Sequence, residues 1–164
     1  MRGYSGIDRS LSACLHFVRN DEVDESLAQH VQGMKDLKIT CTYIDYIAMR
    51  GSNVGVANYI GRVLELENAP YYPVEHWVAF LDDLISLSDE IQGLVIVIDN
   101  AHQFFAEARN EAFDLIESFL IQFHHWLEKR KPCHLCFQME PNALIRRVFL
   151  GELASEPSPG HDLL

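Results

Sequence analysis

Asp99 and His102 lie in the stretch VIVIDNAH (95–102), where a β-branched run ends on an acid. An acid in that place can position magnesium in a nucleotide hydrolase. Such chemistry also requires a phosphate-cradling loop with GK[ST], because the acid cannot hold the triphosphate. The chain contains no such loop. GSNVG (51–55) has glycines without the lysine, and it does not match the GxGxxG of dinucleotide binders. The plainer use of an Asp just past a strand is to cap the next turn.

Cys133 and Cys136 form CHLC, a spacing shared by metal and redox sites. Here it falls in a strand-like run, which points the two thiols to opposite faces. There is no second cysteine pair to complete a closed zinc site. A redox pair would open a helix, where the dipole lowers a thiol pKa. Buried core cysteines are the expectation. His76, His102, His124 and His125 make no ligand set at recognisable spacing, and no nucleophile elbow occurs. The chain is therefore expected to have no catalytic residue, no metal site and no cofactor.

Binding chemistry is a better match for YYPVEHWVAFLDDL (71–84). Trp77, Phe80, Leu81, Leu84 and Ile85 recur at spacings of three and four, the mark of a helix with one broad buried stripe. Asp82 lies on the flank of that stripe, and Asp83 and Glu75 face away from much of it. Tyr71, Tyr72 and His76 stand at its entry. Exposed tyrosines beside carboxylates suit a protein interface, with rings for contact area and acids for register and steering. The competing reading is that Tyr71 and Tyr72 plug the end of the core while the acids are solvated.

Three strands are expected to position these residues. LKITCTYIDYIAM (37–49) is β-branched and aromatic, LVIVI (94–98) is continuously apolar, and CHLCFQM (133–139) is the last clear strand. Helices are predicted over about 54–66, 74–87 and 107–129. The last has Ala112, Ile116, Phe119, Leu120, Phe123 and Leu127 on its inner side. Leu11, Cys14, Leu15 and Val18 have helical spacing and suggest a helical leader. PNALIRRVFL (141–150) reads as a short helix. Crossovers long enough to hold helices imply parallel pairing and right-handed connections. The reading is an α/β fold: a small three-stranded parallel sheet packed against helices, with an extra N-terminal helical segment. Residues 1–36 form that extension, 37–150 the domain, and 151–164 a flexible tail.

Lys and Arg number 13 against 24 Asp and Glu, a formal charge of −11. That balance disfavours direct nucleic-acid binding, because phosphates are repelled. It suits a basic protein partner, and it also keeps many soluble domains in solution. The N-terminal residues lack the pattern of a signal peptide, and no stretch is long and apolar enough for a bilayer. A cytoplasmic protein with reduced thiols is expected.

From about Ile39 to Met139 the chain resembles the barstar family of ribonuclease inhibitors. The matching residues are YID (43–45), LELENAPYY (64–72), HWVAFLDDL (76–84), QGLVIVIDNAHQF (92–104) and HLCFQM (134–139). Trp77, Ala79, Phe80 and Asp82 fit the family's second-helix motif. His76 stands in place of its Asn and Val78 in place of its first Asp. The resemblance implies a non-catalytic intracellular inhibitor or immunity protein. Its second helix and the segment before it would plug the basic active site of a toxin, a nuclease. Tyr71, Tyr72, Glu75, His76, Trp77, Asp82 and Asp83 form the implied contact region, with Asp82 mimicking a substrate phosphate. The alternatives are an interaction domain on the same fold without nuclease inhibition, and an enzyme or nucleotide-binding domain using Asp99 and His102.

Overall fold

The computed structural model describes residues 14–19, 38–71 and 77–139. Four strands form one sheet: β1 (Leu15–Arg19), β2 (Thr40–Asp45), β3 (Leu94–Asp99) and β4 (Cys133–Met139). Their order across the sheet is β1-β4-β3-β2, and every pairing is parallel. Five helices are described: α1 (Tyr46–Gly51), α2 (Val56–Val63), α3 (Trp77–Glu90), α4 (Ala101–Glu107) and α5 (Arg109–Glu128).

The fourth strand overturns the expected three-stranded sheet. Leu15–Arg19 is β1 and lies beside β4, in register Leu15 to Leu135. The Leu135 amide donates to the Cys14 carbonyl at 2.8 Å. The helical reading of this stretch failed for a definable reason. Leu11, Cys14, Leu15 and Val18 fit a helical period, and five strand residues are too few to display a competing alternation.

Residues on β3 and β4 sort by parity, as pleating requires. Leu94, Ile96, Ile98, Cys133, Leu135 and Phe137 belong to the main core, shared with Tyr46, Ile60, Phe80, Leu84, Phe104, Phe119 and Trp126 of all five helices. Val95, Val97 and Cys136 belong to a second cluster with Ile39. The steps from β2 to β3 and from β3 to β4 run the same way across the sheet. Right-handed crossovers then place both sets of helices on one face. β3 is buried on both faces over residues 94–98, which accounts for its unbroken apolar sequence.

The helices depart from expectation in three places. The strand expected over 37–49 ends at Asp45, whose carboxylate caps α1 by accepting from the Ile47 amide at 2.9 Å. The long helix begins at Arg109, with α4 split from it at Ala108, where the backbone leaves helical geometry (φ −130, ψ 53). Third, α5 is rotated relative to the stripe read from sequence. Leu115, Gln122 and Trp126 face inward beside Ala112 and Phe119, whereas Leu120 and Leu127 face out. Apolar residues occupy both faces of this helix, so periodicity alone chose a stripe that mixed the two. Residues 141–150, read as a helix, and the 151–164 tail lie outside the described residues.

Phe137 joins the edge strand to the core. Its ring stacks on Phe17 of β1 at 5.5 Å and meets Phe105 of α4 at 5.1 Å. Truncating a fully buried Phe leaves a cavity as well as losing transfer energy. Phe137→Ala is expected to destabilise the domain by about 3–5 kcal/mol in urea unfolding. A loss under about 1 kcal/mol would contradict this placement of β1 and α4.

Candidate functional site

Two places gather polar residues that the sequence singled out. One is the carboxyl edge of the sheet, where ligands of open parallel sheets bind. The other is the surface made by α3 and the loop before it.

At the sheet edge Asp45 and Asp99 are register partners at the ends of β2 and β3. Asn100 sits between them in left-handed conformation (φ 53). Its side-chain amide donates to Asp45 Oδ1 at 3.0 Å, and its backbone N–H donates to Asp99 Oδ1 at 2.7 Å. Asp45 also caps α1. Both carboxylates are thus engaged in turn chemistry of the kind Asp commonly performs after a strand. His102 is half-buried on the first turn of α4. The residues that follow β1 in sequence, NDEVDES (20–26), are acidic and hold neither glycine nor lysine. They do not match the glycine–lysine pattern of a phosphate-cradling loop.

The second surface is built from its anchor outward. α2 ends in a Schellman motif: Leu66 N–H donates to the Gly61 carbonyl at 2.8 Å, and Glu65 N–H to the Arg62 carbonyl at 3.2 Å. The motif requires a left-handed residue, and Glu65 supplies it at φ 55. Leu66 is buried as a result and Glu65 is presented to solvent. The chain then returns along α2 to Tyr71. Asn58 of α2 clamps Tyr71 by its backbone, accepting from Tyr71 N–H and donating to the Tyr71 carbonyl at 3.3 Å. Gly61 eases this approach, since a Cβ there would stand 3.0 Å from both Ala69 Cβ and the Tyr71 ring, tighter than ordinary packing.

Tyr71 turns inward and is almost fully buried, edge-on to Phe80. Its O–H donates to Asp83 Oδ2 at 2.8 Å. Asp83 is buried too, and it accepts from the Asn68 backbone at 3.2 Å and from the Asn68 side chain. A buried carboxylate is costly unless its lone pairs are met. Here three donors from the loop meet them, so Asp83 fastens residues 64–71 onto α3. Tyr71 and Asp83, expected at the contact surface, are therefore braces beneath it. Trp77 is half-buried against Phe80, with ring centroids 5.8 Å apart. Tyr72, Glu75 and His76 lie outside the described residues.

What remains outward is acidic. Asp82 is exposed at the crest of α3, one turn after Val78, which is 70% exposed. A shallow groove between the loop and α3 is lined by Glu65, Glu67, Ser86, Leu87 and Glu90, with Asp83 as its floor. Among the described residues no ion pair engages Glu65, Glu67, Asp82 or Glu90; those present are Arg50–Glu107 and Lys129–Asp89. Leu81 and Ile85, expected in the buried stripe, are half-buried, and Ser88 takes an inner position. Sequence reading missed Glu65, Glu67 and Glu90 as site residues. The available signal was the alternation LELEN, two acids just past a helix end.

The four cysteines are free thiols. Cys133 lies in the main core, where Gln122 donates to its sulfur at 3.6 Å, and Cys136 lies on the opposite sheet face. Burial pushes the Cys136 thiol up to about 12 and raises Cys133 as well. Neither is a thiolate nucleophile at neutral pH. Among the described residues no three His, Cys, Asp or Glu side chains converge as a metal site. Nor is any described helix long and apolar enough to cross a membrane. No protein-family model, no curated protein and no solved structure matches this chain.

Burial, then the hydrogen bond to Asp83 and its negative charge, raise the Tyr71 pKa well above its ordinary 10.0. Above pH 10 an unfolded tyrosine loses its proton while the folded one keeps it, so stability falls as pH rises. Tyr71→Phe is expected to cost about 1–3 kcal/mol at pH 7, by leaving a buried carboxylate short of a donor. The difference from the wild type should shrink above pH 10 in urea titrations. A pH-independent difference would contradict the Tyr71–Asp83 bond.

Proposed function

We propose that this chain is a non-catalytic binding module that offers the acidic α3 ridge and the 64–71 loop to a basic protein. The observation that carries this reading is the exposed set Glu65, Glu67, Asp82 and Glu90, unpaired among the described residues and braced from below by Asp83. Holding carboxylates on a fixed frame lowers the ordering cost of binding. Their field steers an oppositely charged partner. The formal charge of −11 acts in the same direction.

A nuclease active site is positive because it binds phosphate, and it fits such a ridge. A basic toxin of that class is the first partner to test. The support is charge and shape, the exposed acids of the ridge and the formal charge of −11. The rival enzyme reading at Asp99 and His102 has less support, because Asp45 and Asp99 are engaged with Asn100 and with backbone amides.

The test is quantitative co-purification of the wild type and Asp82→Lys from source cells, followed by calorimetry with the purified partner. A basic partner should bind the wild type, and Asp82→Lys should weaken it by about 2–5 kcal/mol, with affinity falling as salt rises. Equal binding by both proteins would contradict the assignment. So would magnesium-dependent nucleotide turnover that Asp99→Asn abolishes.

Glu65 allows a sharper separation of stability from binding. A left-handed backbone costs a non-glycine residue roughly 1 kcal/mol. Glu65→Gly should therefore leave the unfolding free energy unchanged or raise it by up to about 1 kcal/mol. The same variant should bind the basic partner more weakly. A variant that binds as well as the wild type would remove Glu65 from the site.

A further inference from the structure

The sheet face turned away from the helices holds polar groups that the acidic site does not use. Pleating puts His16 of β1 on this face, with His134, Cys136 and Gln138 of β4 and Val95 and Val97 of β3. His134 is completely buried and His16 is half-buried. The two rings meet across the pairing of β1 with β4. Their centroids are 5.0 Å apart, and His16 Nε2 lies 2.9 Å from His134 Nδ1. At that distance one nitrogen donates and the other accepts.

This bond limits protonation. With both imidazoles charged, each of the facing nitrogens would carry a hydrogen and neither could accept. The pair can therefore gain at most one proton while the bond lasts. The limit arises between the two facing atoms and holds whatever the other ring nitrogens touch. Among the described residues the other titratable groups on this face are Cys41, Tyr43 and Cys136, with Asp45 and Asp99 at its carboxyl edge. Cys136 is a neutral thiol. Asp99 stands four residues, about 13 Å, along β3 from Val95, the register partner of His134. It is engaged with Asn100, as is Asp45. β2, β3 and β4 carry no lysine or arginine.

We propose that the His16–His134 bond is an acid-released clasp that holds the edge strand β1 on β4. A released histidine takes up its proton at about pH 6.5, so two released rings bind two protons where the bonded pair binds at most one. The opened form thus binds more protons than the closed form, and acid favours opening. β1 is suited to come away without the rest of the domain, being five residues long and paired on one side only. On the core face it is held by Phe17 against Phe137 and Phe105, contacts that do not titrate. Opening would make β4 the free edge of the sheet, with backbone groups available to another strand.

Amide hydrogen exchange of the full chain from about pH 7.5 to about pH 5, corrected for the intrinsic pH dependence of exchange, tests this. Protection should fall roughly tenfold per pH unit below about pH 6.5 in β1 and at Leu135, whose amide donates to the Cys14 carbonyl, while α5 keeps its protection. His16→Gln supplies an amide that donates or accepts without titrating, and it should lose this slope. His124→Gln, at an exposed position of α5, should keep it. Imidazole nitrogen shifts of the wild type read the pair directly and need no variant. At the acid end at most one of the two rings should be charged wherever β1 is still protected. Two charged rings beneath a protected β1 would overturn the proposal. So would β1 protection that does not change over this range, α5 protection that falls in parallel with it, or a His16→Gln slope equal to that of the wild type.

Discussion

The buried carboxylate of Asp83 fixes the surface of this domain that faces outward from α3. It accepts hydrogen bonds from Tyr71 and from both the backbone and the side chain of Asn68. A charge in the interior is tolerated only when its hydrogen-bonding demand is met, so the loop that meets it cannot wander. The close pass of Tyr71 over Gly61 and the clamp from Asn58 depend on the same arrangement. Glu65 and Glu67 ride on that loop, and Asp82 and Glu90 on the helix it grips. The acidic ridge is thus a consequence of an internal bond rather than of surface composition alone.

The sheet edge shows the converse. Its position at the carboxyl ends of parallel strands is the usual place for a ligand, and two aspartates stand there in register. Asp45 Oδ1 accepts from the Asn100 side chain and from the Ile47 amide of α1, and Asp99 Oδ1 accepts from the Asn100 amide of the β3–α4 turn. The same residue type therefore has opposite meanings at two sites. At the edge the acids complete the backbone. On α3 and its loop, one acid completes the backbone and leaves its neighbours exposed.

Much of the architecture could be read from residue pattern. LVIVI and CHLCFQM are strands within a residue of where their composition put them, and Cys133 and Cys136 do face opposite sides. β1 was hidden because a five-residue edge strand carries too little alternation to compete with a helical spacing that spans it. α5 misled because Leu120 and Leu127 resemble core residues in type and differ only in which side of the helix they occupy. Helical periodicity in LDDL puts Asp82 on the flank of the buried stripe and Asp83 facing away from it, the reverse of what is found. A shift of one position, about 100° around a helix, separates an exposed Asp82 from a buried Asp83. Which of the two turns inward depends on Asn68 and Tyr71, whose approach is set by the end of α2 and not by local pattern.

An amide-resolved NMR titration with the basic protein captured on the wild type would test the central claim most directly. Shifts should concentrate on residues 65–67 and on the outward positions of α3, Asp82 and Ser86 among them, while Tyr71 and Asp83 stay buried. Shifts centred on Asp45, Asp99 and His102 at the sheet edge would contradict the account.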